Sequence, residues 1–436
     1  MLTILANRTY RHLFAAQVIA LIGTGLATVA LGLLAWQIAG ANAGLVLGTA
    51  LAIKMIAYVT LAPIASAFAD RVPRRTMLVA LDLIRATVAL ALPFVTEVWQ
   101  IYTLIFLLQA ASAGFTPTFQ ATIPDVLPDE AEYTRALSLS RLACDLENLL
   151  SPMLAAALLT VVSFPMLFGG TVVGFVLSAL LVVSVALPSP RPQQPRGIWD
   201  RTTRGIRIYL ATPRLRGLLA LNLSVAAAGA MVIVNTVVIV QAGLGLGQTQ
   251  VALALAAFGA GSMVAALALP RLLDRMPDRP AMIGGAALLV LGMLAGPLVG
   301  SLTTLALLWA ALGFGYSLTQ TPSGRLLRRS AQPEDRPAIF AAQFALSHAC
   351  WLLTYPLAGW LGATLGLSAA FLVMAGLAAL GILAALLLWP AKEFENLEHT
   401  HPDLAPDHPH LRGHETAAHR HPVVIDDLHR VWPAQI

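Results

Sequence analysis

The chain has 436 residues, 58% of them hydrophobic and only 11% charged, with a formal net charge of +5. A soluble globular protein carries about 25% charged residues, so this composition excludes an ordinary soluble enzyme and implies a surface that mostly faces lipid. The two cysteines, Cys144 and Cys350, lie in apolar runs and exclude a disulfide framework.

Arg8 and Arg11 precede an apolar run from Leu13 to Ala39, and Ala39-Gly40-Ala41 resembles a cleavage site. The run is far longer than the roughly 7–15 residues of a signal-peptide core, so it is expected to stay as a span. A helix needs about 20 apolar residues to cross a hydrocarbon core about 30 Å thick. Twelve segments qualify, near 13–39, 44–68, 76–94, 101–123, 137–162, 167–187, 217–242, 250–270, 281–299, 302–322, 338–362 and 367–389. Backbone groups inside lipid must satisfy one another, so each run reads as a helix.

Basic residues test that count. With the amino terminus in the cytoplasm, the inward segments carry Arg8 and Arg11, then Arg71, Arg74 and Arg75, then Arg135 and Arg141. Seven arginines follow between Arg191 and Arg216, and further groups lie at 271–279, 325–336 and 392–430. The outward loops contain no Lys or Arg, and only Lys54 and Arg85 are assigned to spans. That asymmetry predicts twelve spans with both termini cytoplasmic in a bacterial-type inner membrane. The basic excess is therefore assigned to the membrane surface and not to a nucleic-acid partner.

The spans divide into a six-helix half over 1–187, a linker over 188–216 and a second half over 217–390, followed by a tail over 391–436. The linker opens Pro188-Ser189-Pro190-Arg191-Pro192, which is not helical. Ile198, Thr202, Ile206 and Leu210 then recur at helical spacing against Arg201, Arg204 and Arg207. This reads either as a short helix on the inner leaflet or as a solvated linker.

The halves repeat. Asp70-Arg71-Val72-Pro73-Arg74-Arg75 and Asp274-Arg275-Met276-Pro277-Asp278-Arg279 are 204 residues apart, and the same shift lays Ser151-Pro152 on Tyr355-Pro356. A shift of 205 lays Arg11 and Gln17 on Arg216 and Asn222. Two halves in the same orientation imply a pseudo-two-fold axis along the membrane normal.

The stretch Ala65-Ser66-Ala67-Phe68-Ala69-Asp70-Arg71-Val72-Pro73-Arg74-Arg75 resembles the signature loop of the major facilitator superfamily. Asp70, Arg71, Arg74 and Arg75 match that signature, while Pro73 and a small residue replace its glycines. The resemblance covers 1–390 and implies an all-α, twelve-helix fold whose halves rock about a central cavity. On charge alone, Asp70 can cap the next helix and pair with the basic groups beside it, latching the inward side closed; the alternative is that Arg71, Arg74 and Arg75 only set topology. Asp274 and Arg275 are its counterparts in the second half.

Ionisable groups within spans are expensive and point to function. Lys54 lies about ten residues into its span, about 15 Å deep at 1.5 Å per residue. Asp82 and Arg85 share one face and read as a buried ion pair. Arg141, Asp145, Asn148 and Pro152 share a face of span 5, with Cys144, Glu147 and Ser151 beside them. Asp145 and Glu147 are candidates for proton coupling, against the alternative that Arg141 neutralises Asp145. His348 sits mid-span, and Gln17, Asn222, Thr24, Gln109, Gln320 and Trp351 supply a mixed lining. Ser151-Pro152-Met153-Leu154-Ala155-Ala156 is similar to the antiporter motif of exporters in the family, with serine and alanines replacing glycines.

Eight of the ten histidines lie in the tail. His399/His401, His408/His410 and His419/His421 are His-X-His pairs, with His414 and His429 besides. Neutral imidazoles suit nickel, cobalt, zinc or copper, so His399, His401, His408, His410, His414, His419 and His421 are candidate ligands, unless the tail is simply solvated. The tail resembles the His-rich ends of nickel-resistance exporters in the superfamily.

No Gly-Lys-Ser/Thr phosphate loop is present, so ATP hydrolysis is not expected; no soluble catalytic domain is left once the spans are counted, so neither enzyme activity nor a cofactor is expected, apart from a divalent metal on the tail. The leading reading is a proton-coupled exporter of small organic compounds, resembling the multidrug and siderophore-exporting branches. The alternatives are a divalent-metal exporter and a membrane sensor that keeps the fold without transport.

Overall fold

The computed structural model describes residues 2–39, 43–68, 71–188, 197–391, 397–400, 418–421, 423–429 and 432. The first half contains α1 (Arg8–Ala39), α2 (Ala43–Ser66), α3 (Arg74–Ala91), α4 (Val98–Val126), α5 (Glu130–Leu159) and α6 (Pro165–Val183). A short helix, α7 (Ile198–Ala211), leads to α8 (Pro213–Val237), α9 (Gln248–Leu273), α10 (Asp278–Ala295), α11 (Leu302–Gln320), α12 (Ser323–Arg329), α13 (Arg336–Thr364) and α14 (Leu367–Leu388). Two short strands, β1 (Leu397–Thr400) and β2 (Ala418–His421), pair antiparallel in the tail.

Eleven helical segments among the described residues are long and apolar enough to cross a bilayer. The twelfth membrane helix is α5. It runs for 30 residues, but Arg141, Asp145 and Glu147 lower its apolar character. Arg141, counted above with the inward loops, is thus a residue of a span; the helix begins at Glu130 and extends well past it. The long helices leave large apolar side chains bare, Leu307 by 68% and Leu387 by 76%, because their solvent is lipid.

Small residues let neighbouring helices approach closely where lipid gives no hydrophobic drive to associate. In the first half, α1 meets α6 at Gly23 and Gly174, and the Thr171 hydroxyl donates to the Gly23 carbonyl at 2.7 Å. In the second, α8 meets α14 at Gly381, and the Ser224 hydroxyl donates to the Ala378 carbonyl at 2.6 Å. These are the first and last membrane helices of each half, so the repeat in sequence is also a repeat in packing. Between the halves, α2 lies against α13 and α5 against α9.

The linker helix α7 buries Arg204, Gly205, Ile208 and Tyr209. Gly205 allows its backbone to touch the Ala338 carbonyl of α13, where a Cβ has no room. The far end of the tail returns to the same place: Ile425 joins Ile208, Tyr209, Leu215 and Trp389 in one apolar cluster, and Trp432 packs at its edge.

Candidate functional site

The site has two levels, a set of ion pairs at the basic end of the bundle and a cavity deeper in. At the basic end, Arg74, the first of the signature loop's closing Arg-Arg pair and the first residue of α3, donates to Asp125 of α4. Arg336 at the start of α13 donates to the other oxygen of Asp125. Arg74 also reaches the Pro333 carbonyl at 3.4 Å. One carboxylate therefore binds a guanidinium from each half. The same end is bridged again by Arg325 of α12, 2.5 Å from Glu130 of α5 and 3.1 Å from Asp278 of α10, and by Arg328, which donates to the Pro128 carbonyl. Arg329 also pairs with Asp278.

Asp70 lies outside the described residues. Arg71, Arg75, Asp274 and Arg275 are exposed and take part in no ion pair among the described residues. The carboxylates that carry the network are Asp125, Glu130 and Asp278. Asp278 belongs to the second signature loop, but Asp125 lies at the end of α4, and only its proximity to Arg74 in space marks it.

Further along, Asp145 is buried and holds Arg141 one turn before it, with contacts of 2.5 and 3.2 Å. Ser262 of α9 donates to Asp145 at 2.6 Å and accepts from Arg141 at 3.0 Å. The Arg141 guanidinium lies 4.7 Å from the ring centre of Tyr316. Asp145 thus faces the second half and not open space. Asp82 pairs with Arg85 and accepts the Ser178 hydroxyl at 2.8 Å, while Arg85 sits over the Phe115 ring at 3.9 Å.

A cavity of about 290 Å³ inside the first half is lined by Gln17, Lys54, Tyr58, Arg85 and Gln109 among others. A second, of about 240 Å³, lies between the halves and shares Gln17, Phe119 and Gln120 with the first; His348 and Gln343 line its other side. Tyr58 joins the two: its hydroxyl donates to Gln109 at 2.7 Å, and the His348 ring meets its edge at 4.8 Å. His348 Nδ1 is 2.7 Å from the Phe344 carbonyl. A carbonyl only accepts, so Nδ1 carries the proton and Nε2 is left as an acceptor.

The candidate residues therefore separate. Gln17, Lys54, Arg85 and His348 line the cavities; Asp82, Asp145 and Asn222 do not. Asn222 is buried, and neither polar atom of its amide has a partner among the described residues. Glu147 lines a groove between α1 and α5 with Leu146, Leu150 and Met153, where Ser151 and Glu147 both press on Gly25. The Asn148 side chain is outside the described residues. Tyr58, Ser262 and Asp125 are additions that no motif or charge within a span pointed to.

In the tail, β1 and β2 bring His399 opposite His419 and Leu397 opposite His421. His401, His408, His410 and His414 lie outside the described residues, and among the described residues no group of three or more metal-binding side chains gathers.

The Major Facilitator Superfamily profile matches residues 13–231 and again 218–424. An uncharacterized MFS-type transporter, YfiS, of Bacillus subtilis is 27% identical over 124 residues, 28% of this chain and 30% of that protein. Macrolide efflux protein A of Streptococcus pyogenes is 24% identical over 181 residues, 40% of this chain and 44% of that protein. The same-named protein of Enterococcus faecalis is 25% identical over 152 residues, 33% of this chain and 47% of that protein. The chain thus matches less than half the length of each relative. Among solved structures, the human organic anion transporter MFSD10 superposes with a TM-score of 0.76 at 15% identity, covering 87% of this chain and 99% of that one. A bacterial homologue of the iron transporter ferroportin, in its outward-facing state, gives 0.72 at 13% identity over the same shares. At such identities the likeness is one of fold.

Proposed function

The chain belongs to the Major Facilitator Superfamily, and from that premise we propose that it exports small organic compounds across the cytoplasmic membrane by alternating access, driven by a proton gradient. The observation that carries this reading is Asp125 held by both Arg74 and Arg336. An ion pair between the halves at one end of a cavity is a contact that exists in one state and must break in the other, which is what a two-state transport cycle requires. The basic end is assigned to the cytoplasm because lysines and arginines collect there. Both termini then lie inside.

Export is favoured by the partial match to macrolide efflux proteins and by the Ser151-Pro152 segment. For coupling, Asp145 already has Arg141 and Ser262 as partners. Glu147 has no ion pair among the described residues, and the Lys54 charge acts on it. A carboxylate so placed in a span is the natural proton carrier. The test is proteoliposomes with an imposed pH gradient. Gradient-driven efflux of a small fluorescent organic compound is expected from the native chain and not from Glu147→Gln. Efflux that ignores the gradient would remove the coupling.

A second reading, export of a divalent metal, has one observation in its favour. His399 and His419 are direct cross-strand partners, and neutral imidazoles suit divalent transition metals. Here the metal is cargo or signal, and the tail its collector.

A further inference from the structure

The wall of the 290 Å³ cavity carries two cationic side chains, Lys54 and Arg85, and no carboxylate. The adjoining cavity between the halves has no acidic side chain on its wall either. Arg85 is already matched by Asp82, so the charge with no carboxylate in contact is that of Lys54. Among the described residues Lys54 has no ion pair; its ammonium lies 5.6 Å from the ring centre of Tyr58. Glu147, the carboxylate its charge acts on, stands in the separate groove beside α1. An ammonium at this depth with no carboxylate in contact is costly, and an anion in the cavity relieves that cost.

The neutral groups nearby have the matching polarity. Gln109 spends its carbonyl oxygen on the Tyr58 hydroxyl, and Gln17 spends its own on the Ser140 hydroxyl at 3.0 Å. Each is left with amide N–H donors. Phe115, Phe119 and Phe175 supply an apolar wall.

We propose that the substrate is an amphiphilic organic anion, its carboxylate or sulfonate held by Lys54 and the Gln109 amide and its ring body laid against the phenylalanines. This rests on the reading of the cavity as the transport site, and it gives that site a charge selectivity.

The experiment uses the purified full chain and three probes that share one ring system: 2-naphthoate, 2-naphthamide and 2-naphthylmethylamine. Calorimetry and thermal melting are read for each. Naphthoate is expected to bind at least about tenfold more tightly than the amide, the scale of one charge-assisted hydrogen bond, and the amine to bind least. Lys54→Gln should erase the preference and Lys54→Arg should keep it. Equal binding of the amide or the amine, no binding of naphthoate, or a preference that survives Lys54→Gln each overturns the proposal. Should Lys54→Gln fail to fold, the three-probe series on the native chain decides alone. Binding needs no gradient, so a carboxylate preference without gradient-driven efflux sinks the export reading and leaves this one. Efflux without that preference does the reverse.

Discussion

Asp125 of α4 is bound to Arg336 of α13, so the first half of the molecule is tied to the second through one carboxylate and one guanidinium. Because Arg74 occupies the other oxygen of Asp125, this tie also runs into the signature loop. Its loss should open the basic end. In a background with Cys144 and Cys350 replaced by Ser, Gln343→Cys on the wall of the second cavity should react faster with a membrane-impermeant maleimide when Asp125→Asn is added. The label must be applied from the basic side. Unchanged labelling would mean that Asp125 does not hold the halves together.

Arg141, Asp145 and Ser262 form a second tie, buried between α5 and α9. Asp145→Asn leaves the Arg141 charge without its partner, a loss of about 3–5 kcal/mol for a buried pair. Ser262→Ala removes one hydroxyl and should cost about 1 kcal/mol. Thermal melting of the purified variants should rank them in that order. Equal melting temperatures would show that the pair adds nothing to stability.

Helices α9 and α11 meet through two glycines. A Cβ on Gly261 collides with the Ala310 carbonyl, and one on Gly313 with the Phe258 carbonyl, whereas one on Gly284 in α10 meets nothing within 4 Å. Gly261→Val and Gly313→Val are expected to lower the yield of folded protein in the membrane sharply. Gly284→Ala should be neutral or slightly stabilising, since alanine favours a helix by up to about 1 kcal/mol over glycine. Size-exclusion profiles after extraction measure both outcomes.

The end of the tail is expected to stabilise the second half. Arg204 binds Asp335 through two nitrogens at 2.5 and 2.7 Å and Asp427 through a third at 2.8 Å. Burial opposes the Arg204 charge, and the two carboxylates more than offset it, raising its pKa. Ile425 is 5% exposed, so Ile425→Ser gives up burial worth about 1.5–3 kcal/mol. Limited trypsin cleavage within 188–216 should be faster in that variant; an unchanged rate would mean that the docked tail does not protect the linker.

Metal handling by the tail is tested on the full chain. Nickel binding should fall when residues 399–421 are removed, and it should weaken as pH drops through about 6.5, because a protonated imidazole has no lone pair for the metal. The deletion should also lower nickel tolerance in cells if the metal reading holds. Identical nickel isotherms for the two proteins would leave the tail without a metal role.

The spans were legible in the sequence because lipid imposes a length and a composition on every crossing helix, and α5 was legible despite its charges because it had to complete the count that the arginines demand. The repeat was legible because both Asp-Arg loops keep their spacing. The ion pair of Asp82 with Arg85 was readable from helical spacing alone, as was that of Arg141 with Asp145, since partners three or four residues apart share a face. What only the tertiary structure decided are the contacts between distant segments. Nothing local links Asp125 to Arg336 across 211 residues, or Ser262 to Asp145, or Asp427 to Arg204; each depends on which helices pack together. The same is true of the division among polar residues, with Lys54 on the cavity wall and Glu147 in the groove beside it. Hydropathy reports how deep a residue lies in the bilayer. It carries no information about which way a helix is turned, and that is set by the glycines and hydroxyls through which each helix packs on its neighbours.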